Sequence, residues 1–184
     1  MQKWNVYDGY KEIENITTLL KKLDAYEFAN AWLDVINNKD FFKEHSTNKI
    51  YAESGPLREC STVYLLNDYK NTSLVFDKFK NAINLLYRLR DNINAERELK
   101  RAYITILAPG KKIYSHCDTA NDYFNSIDRY QFYFSGDSDM IQSINDTLFP
   151  VGPGFFYHFD HRQKHYYENN SNKDLVLMVF DLKK

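Results

Sequence analysis

Short β-prone runs separated by turn-forming residues fill the second half of the chain and constrain its fold more than any other feature. Runs rich in Ile, Val, Phe and Tyr occupy residues 102–107, 112–116, 129–134, 155–159 and 175–181. Gly, Pro, Asn and Asp stand between them, as at Pro109-Gly110. Many short strands with such separators predict a β-sandwich or a jelly roll. The 15 tyrosines and 13 phenylalanines fit a β-rich core lined with aromatic rings.

The first half of the chain has a helical period instead. Apolar residues recur at helical spacing over Ile16–Ile36 and again over Leu74–Ile93. Between these two predicted helices the chain is irregular, apart from a strand-like piece at 62–66. The sequence contains no internal repeat, low-complexity tract or linker. It therefore predicts a single domain, in which residues 1–98 form a mostly helical buttress with short strands. Residues 99–184 form the jelly-roll core that carries the functional site.

Composition narrows the classes of function. The formal net charge is −1, so the chain has no polybasic footprint for nucleic acid. Basic residues at 21–22 and 97–101 alternate with acids and predict solvated faces. No apolar run reaches the roughly 18 residues of a membrane helix, and the first residues form no apolar signal core. Two cysteines are too few for a disulfide framework. These features predict a soluble, cytoplasmic protein that binds neither nucleic acid nor membrane.

His116 and Asp118 form an H-x-D pair at the end of a β-prone run. Residues i and i+2 of a strand point to the same face, so both side chains can bind one ion. His165 follows the turn-like stretch 160–164 and would add a second imidazole from a later strand. Two histidines and one carboxylate on one face of a metal leave positions open, which suits non-heme Fe(II). We therefore predict a metal site formed by these three residues.

Each of these residues also has an ordinary structural interpretation. A lone histidine in a strand is more often packed or exposed than bound to a metal. His158 and His161 are rival ligands, although His161 fits less well because it lies in the polar turn. Cys117 lies between the two ligands and should point to the opposite face of the strand, where we expect a buried structural thiol.

A series of short motifs runs through residues 101–181 in a fixed order. It comprises Arg101-Ala102, Leu107-x-Pro109-Gly110, His116-x-Asp118, Arg129-Tyr130, Gly154 with Phe159-Asp160, His165-x-x-x-Asn169-x-Ser171, and Asp181. In these motifs the chain resembles the aspartyl/asparaginyl β-hydroxylase family and its free-proline-hydroxylase relatives. The resemblance covers nearly half of the chain. It implies a mainly β protein with flanking helices, built on a double-stranded β-helix, which is a cupin-like jelly roll.

The resemblance also implies an activity. Members of this family are Fe(II)/2-oxoglutarate-dependent dioxygenases, with 2-oxoglutarate and O2 as co-substrates. His116, Asp118 and His165 would be the iron ligands. No side chain beyond these ligands would act as a catalytic group. The implied substrate is an amino acid, free or within a peptide, and Arg129 or Arg58 could hold its carboxylate.

The co-substrate contacts depart from the family pattern. Relatives hold the distal carboxylate of 2-oxoglutarate with a small hydroxyl residue before the first histidine and an arginine after the last. Thr105 stands at the first position and fits, whereas Leu175 stands at the second and cannot pair with a carboxylate. Lys173 lies two residues earlier and could supply a point charge, although without the bidentate fork of arginine. Equally, Lys173 could be an exposed turn lysine.

The arginine motif that follows is altered as well. Relatives commonly carry R-x-H where this chain has Arg129-Tyr130-Gln131. Arg129 could still bind a carboxylate, and Gln131 keeps hydrogen-bonding capacity without the charge of an imidazole. With Thr105 and Lys173, these residues form the predicted co-substrate site. The alternative hypothesis is a cupin-like metal- or ligand-binding protein that has lost or altered the use of 2-oxoglutarate. A positive charge beside Thr105 would separate the two hypotheses.

Overall fold

The computed structural model describes residues 5–7, 10–12, 25–46, 55–67, 73–118 and 122–184. Its helices are α1 (Ala25–Asn37), α2 (Lys39–His45), α3 (Ser73–Lys78), α4 (Lys80–Asn94) and α5 (Asp122–Asn125). Its strands are β1 (Asn5–Tyr7), β2 (Tyr10–Glu12), β3 (Ser61–Asn67), β4 (Leu99–Leu107), β5 (Lys112–His116), β6 (Ile127–Tyr133), β7 (Met140–Ile144), β8 (Thr147–Phe149), β9 (Phe156–Phe159), β10 (His165–Asn169) and β11 (Leu175–Lys183). The predicted strands of the second half are all present.

The strands form two antiparallel sheets. A seven-stranded sheet has the order β1-β2-β9-β6-β11-β4-β3, and a four-stranded sheet has the order β5-β10-β7-β8. Side chains from both sheets line one cavity between them. Neighbouring strands are distant in sequence, as β11 pairs with both β4 and β6. This is the jelly-roll arrangement, with flanking helices, that the sequence predicts.

Strand β11 shows how the large sheet separates its two faces. Val176, Met178 and Phe180 belong to an apolar cluster that also contains buried residues of α1, α2 and α4. Leu175, Leu177 and Val179 alternate with them and belong to a second cluster, on the side of the cavity. Because successive side chains of a strand point to opposite faces, one strand serves both the helical layer and the interior between the sheets.

The helices pack on the outer face of the large sheet. Ala31 and Val35 of α1 are fully buried in the same cluster as Leu85 and Leu89 of α4. The predicted helix over Leu74–Ile93 is present but interrupted at Phe79, whose φ of −122° and ψ of 30° are not helical. The fully buried Phe79 ring contacts the rings of Phe41 and Phe42 in α2 edge-on. Among the described helices, none is long and apolar enough to cross a membrane.

Two sequence predictions need comment. The first predicted helix, over Ile16–Ile36, is observed as α1 from Ala25, and its earlier part lies outside the described residues. The hairpin of β7 and β8 was not predicted. Its turn residues Asn145 and Asp146 have positive φ of 49° and 61°, which asparagine and aspartate tolerate. The Asn-Asp pair between two apolar runs was the available sequence signal.

Candidate metal centre

His116, Asp118 and His165 meet at one point, as the sequence predicts. His116 ends β5, Asp118 follows it, and His165 begins β10 directly opposite His116 in the antiparallel pair. One candidate ligand atom from each side chain lies within 4.8 Å of the others. The two imidazole rings are 4.2 Å apart between centroids. This is the only group of three or more such side chains found among the described residues.

Backbone carbonyl groups fix the orientation of both imidazoles. Nδ1 of His116 lies 2.7 Å from the carbonyl oxygen of Tyr114, and Nδ1 of His165 lies 2.9 Å from that of Gln163. A carbonyl oxygen can only accept, so each Nδ1 carries the proton and donates it. The lone pair is then on Nε2 in both rings, which is the state that a metal requires.

The electrostatic environment keeps His165 neutral. Burial, with a further contribution from the neighbouring His116, lowers the pKa of His165 to about 4. The side chain is only 3% exposed. At neutral pH the ring is therefore uncharged and able to donate an electron pair to a cation without first losing a proton.

Arg129 holds the carboxylate of Asp118 in place from β6. Its Nη1 donates to Oδ2 of Asp118, while Nε and Nη2 donate to the two carboxylate oxygens of Asp181 at 2.7 and 2.8 Å. Asp181 is fully buried and also accepts a hydrogen bond of 2.9 Å from the hydroxyl of Tyr123. Burial by itself lowers the pKa of Arg129, but Asp181 and Asp118 outweigh it, and the pKa lies well above its usual value. Arg129 remains charged.

The rival histidines do not join this cluster. His158 packs against Tyr130 on the outer face of the sheet, and its Nε2 lies 3.6 Å from Asp128. His161 is buried, and its Nε2 contacts the carbonyl oxygen of Phe124 at 3.0 Å. Cys117 is exposed, so the prediction of a buried thiol there was wrong. The strand ends at His116, and the strict alternation of faces no longer holds at Cys117.

The cavity beside the metal cluster has a volume of about 130 Å³. In the large sheet, paired residues of β4, β11 and β6 form successive layers, and members of the first three line the cavity: Arg101–Asp181–Arg129, Tyr103–Val179–Gln131, Thr105–Leu177–Tyr133, and Leu107–Leu175 on β4 and β11. Charge is concentrated in the first layer, at the level of Asp118. The last layer is apolar and fully buried. We call these the metal end and the floor of the cavity.

Thr105 faces the cavity near its floor. It is 1% exposed, and its hydroxyl is 3.0 Å from that of Thr62 on β3. The two hydroxyls offer donors and acceptors to a carboxylate at this depth.

The predicted cation, Lys173, does not lie beside Thr105. Lys173 is exposed in the turn between β10 and β11 and does not line the cavity. Of the two interpretations of Lys173, the exposed turn lysine is the one observed. The turn is closed by Asn169, whose side-chain amide donates to the carbonyl oxygen of Lys173 at 2.7 Å. Leu175 is fully buried and pairs with Leu107 at the floor.

Gln131 lines the cavity but is bonded to protein groups. Its side-chain nitrogen donates to the hydroxyl of Tyr167, and its side-chain oxygen accepts from the amide of Gln142 at 2.9 Å. Tyr133 completes the network with its hydroxyl beside both glutamines. All four side chains are buried. Beside His165 the chain therefore has a neutral, buried hydrogen-bond network.

Sequence reasoning missed Arg101 as part of the site. It assigned residues 97–101 to solvated faces, but Arg101 lines the cavity at the metal end and is partly buried. Arg97 is also bound to protein groups rather than to solvent alone. It donates hydrogen bonds to the carboxylate of Asp128 at 2.8 Å and to the hydroxyl of Tyr130 at 3.1 Å. The available signal was the alternation of β4, which places Arg101 on the same face as Tyr103 and Thr105.

Comparison with known proteins supports the architecture. No protein-family model matches the chain, and no curated protein matches its sequence. An oxidoreductase of the 2OG-Fe(II) oxygenase family from Burkholderia pseudomallei has a similar structure, with a TM-score of 0.50 and 12% sequence identity over 67% of this chain and 66% of that one. A predicted oxalate decarboxylase from Thermotoga maritima gives a TM-score of 0.43 and 15% identity over 68% and 81% of the two chains. A cupin domain of a transcriptional regulator from Enterobacter cloacae gives 0.37 and 17% over 44% and 78%.

At these identities the likeness concerns the fold. Together with the two antiparallel sheets, the likeness to the oxygenase-family structure supports a cupin-like jelly-roll fold. Within that fold the His116, Asp118 and His165 cluster lies beside a cavity, where it could hold a metal ion.

Proposed function

We propose that the protein is an Fe(II)- and 2-oxoglutarate-dependent dioxygenase that hydroxylates an amino acid or an amino-acid side chain in a peptide. The observation that carries this proposal is the cluster of His116, Asp118 and His165 at one end of the cavity between the sheets. Two imidazoles and one carboxylate bind three sites of an ion and leave the others open for co-substrate and O2. The sequence motifs around these residues support the same function.

The residues present fit such an ion. Both Nδ1 atoms are occupied by backbone carbonyl groups, so each Nε2 is available, and His165 is neutral at physiological pH. Bound iron would supply the oxidising chemistry, with 2-oxoglutarate giving up CO2 to leave succinate and O2 providing the oxygen atom for the product. The protein's own residues bind and orient the reactants and exclude water.

Arg129 and the buried network have distinct parts in this scheme. Arg129 holds one oxygen of Asp118, which limits the rotation of that carboxylate and directs its other oxygen towards His116, whose Nε2 is 3.7 Å away. Gln131 and Tyr167 form a rigid wall beside His165, because each is buried and hydrogen bonded. Such supporting contacts commonly change metal affinity by about 10–100-fold when they are removed.

One observation favours the alternative of a metal- or ligand-binding cupin without 2-oxoglutarate. Among the described residues that line the cavity, the arginines at its metal end are the only permanent cations, and the fully buried Leu175 lies one layer beyond Thr105. A carboxylate seated beside Thr105 would have hydroxyl partners there but no charge partner. Burying a carboxylate without a charge partner is costly, so the hydroxyls would have to carry that contact.

Turnover separates the two functions. The Fe(II)-loaded protein would be incubated with 2-oxoglutarate, O2 and a set of free amino acids and short peptides, and products would be analysed by mass spectrometry. The proposal expects succinate together with a product that has gained one oxygen atom. His165→Ala should abolish both products, while His158→Ala, which removes the same side chain from the outer face, should retain them. Succinate formation that persists in His165→Ala would contradict the proposed site.

A further inference from the structure

Arg101 is distinguished from Arg129 by its lack of an anionic partner. Arg129 directs its donors at the carboxylates of Asp118 and Asp181. For Arg101, within the described part of the chain, the structure shows no hydrogen bond or ion pair, and its buried Nε has no acceptor. A guanidinium group with a buried, unsatisfied donor is unfavourable, because that donor has lost its hydrogen bond to water without gaining a partner in the protein. A ligand that brings an anion would remove this cost.

The surroundings of Arg101 hold it at the metal end of the cavity. Its guanidinium carbon lies 4.3 Å from the ring centroid of Tyr123 and 6.0 Å from that of Tyr64. Tyr123 is in turn fixed by its hydrogen bond to Asp181, which lies opposite Arg101 in the register of β4 and β11. Aromatic faces stabilise a cation without neutralising it, so the charge remains available to a ligand.

Arg101 and Thr105 are too far apart to serve one small carboxylate. Four residues of extended strand separate their Cα atoms by roughly 13 Å. Thr105 and Thr62 offer hydroxyls near the floor, where the co-substrate of the proposed reaction would reach, whereas Arg101 lies at the level of Asp118. The cavity thus contains two separate places for anionic groups, one polar and neutral and one cationic.

We propose that Arg101 is the receptor for a carboxylate of the substrate itself, so that the protein acts on an amino acid or peptide whose carboxylate group enters the cavity. This inference rests on the proposed function. Arginine suits the task because its planar fork can bind a carboxylate with two parallel hydrogen bonds. Tyr64 and Tyr103 line the cavity near Arg101 and provide aromatic surface for the rest of the ligand.

Binding, rather than turnover, tests this assignment. The protein would be loaded with Zn(II), which is redox-inert, and free L-amino acids would be screened at millimolar concentration by ligand-observed NMR. Each amino acid that binds would be compared with its carboxamide, which lacks the negative charge. We expect the acid to bind and the carboxamide to bind about tenfold more weakly or worse, as for loss of a charged hydrogen bond.

Variants of Arg101 test whether this residue causes the preference for the acid over the carboxamide. Arg101→Gln should reduce the affinity for the acid about tenfold or more and make acid and carboxamide equal, while Arg101→Lys should retain part of the preference. Lys100→Gln is the matched control, since it removes the same charge from the next residue of β4, whose side chain pairs with Glu98 at 3.0 Å. Thermal unfolding of each variant would show that the fold is retained.

The remaining outcomes distinguish the rival explanations. If Arg101→Gln lowers the affinity for 2-oxoglutarate and leaves amino-acid binding unchanged, Arg101 is a co-substrate receptor and the proposal is overturned. It is also overturned if no amino acid binds the wild-type protein, or if acid and carboxamide bind equally. Failure of the proposed function would show differently, as a wild-type protein that binds carboxylates through Arg101 but does not bind 2-oxoglutarate at iron.

Discussion

The two faces of the large sheet have opposite chemical character although they are formed by the same strands. Outward residues such as Met178 and Phe180 pack in an apolar layer against helices. On the inward face of the same strand, Val179 is followed by the fully buried Asp181, which is bonded to Arg129. The outward face thus stabilises the fold by burying apolar surface. The inward face contains buried charges, and a buried charge destabilises the fold when its ion-pair partner is removed. The difference indicates that stability and function can be altered separately.

The largest expected effect is on metal binding from the inward side. His165→Ala should abolish binding of a divalent ion, because only His116 and Asp118 remain as ligands, while the metal-free variant stays folded and loses less free energy of unfolding than Phe180→Ala. Calorimetric titration with Fe(II) under anaerobic conditions, or with Zn(II), measures the first, and chemical denaturation measures the second. A His165→Ala variant with wild-type affinity would remove His165 from the site.

On the outward face, Phe180→Ala should destabilise the fold and leave the metal site intact. The ring is fully buried and stacks on Tyr130 and Phe156, so its loss creates a cavity that costs about 3–5 kcal/mol. Chemical denaturation of the variant would measure this cost. Metal affinity of the folded variant should equal that of wild type, and a parallel loss of affinity would show that the two faces are coupled.

Asp181→Asn should affect both stability and metal affinity, because it removes the charge that balances Arg129. Breaking a buried ion pair from one side costs about 3–5 kcal/mol. Arg129 would also lose the partner that orients it towards Asp118, so metal affinity should fall by about 10–100-fold. Denaturation and metal titration of the same preparation would give both values. Unchanged metal affinity would mean that Asp118 needs no support from Arg129.

The smallest expected effect is on the pH dependence of stability and concerns Asp128. This residue is next to Arg129 in sequence, but it pairs with Arg97 and His158 at the outer surface. Its hydrogen bond with His158, helped by Arg97 and opposed by burial, lowers the pKa of Asp128 from 3.8 to about 2. A carboxylate with a lowered pKa stabilises the fold above the unfolded value, and this contribution is lost as pH falls through the folded value. Asp128→Asn should therefore unfold more easily at neutral pH, by less than about 1 kcal/mol for a partly exposed pair. Wild type and variant should converge near pH 2, and a constant difference would contradict this origin.

The sequence predicted features that depend on local pattern. Strand alternation and turn residues predicted most of the strands, and the H-x-D spacing predicted that His116 and Asp118 would share a point in space. The co-substrate residues were harder. Thr105 lines the cavity, and its role as a co-substrate contact stays a prediction, but Lys173 could not be placed because its direction depends on the turn closed by Asn169.

Arg101 and Arg129 show more clearly what the sequence alone does not predict. Both lie at the end of the same cavity, yet their roles depend on Asp181, which pairs with Arg129 and is in register with Arg101. Such long-range pairing between distant strands leaves no local pattern in the sequence. Which arginine is neutralised, and which remains available to a ligand, becomes visible only when β4, β6 and β11 are adjacent.

The most direct test of the proposed function is an anaerobic titration of the Fe(II)-loaded protein with 2-oxoglutarate, followed by visible absorption. An iron-chelated 2-oxo acid has a weak charge-transfer band, and we expect this band to appear and saturate in wild type but not in His165→Ala. The hydroxyls of Thr62 and Thr105 would then be sufficient for the distal carboxylate in the absence of an arginine at position 175. If iron binds and no band appears, the protein is a metal-binding cupin that does not use 2-oxoglutarate, and the proposed function is wrong.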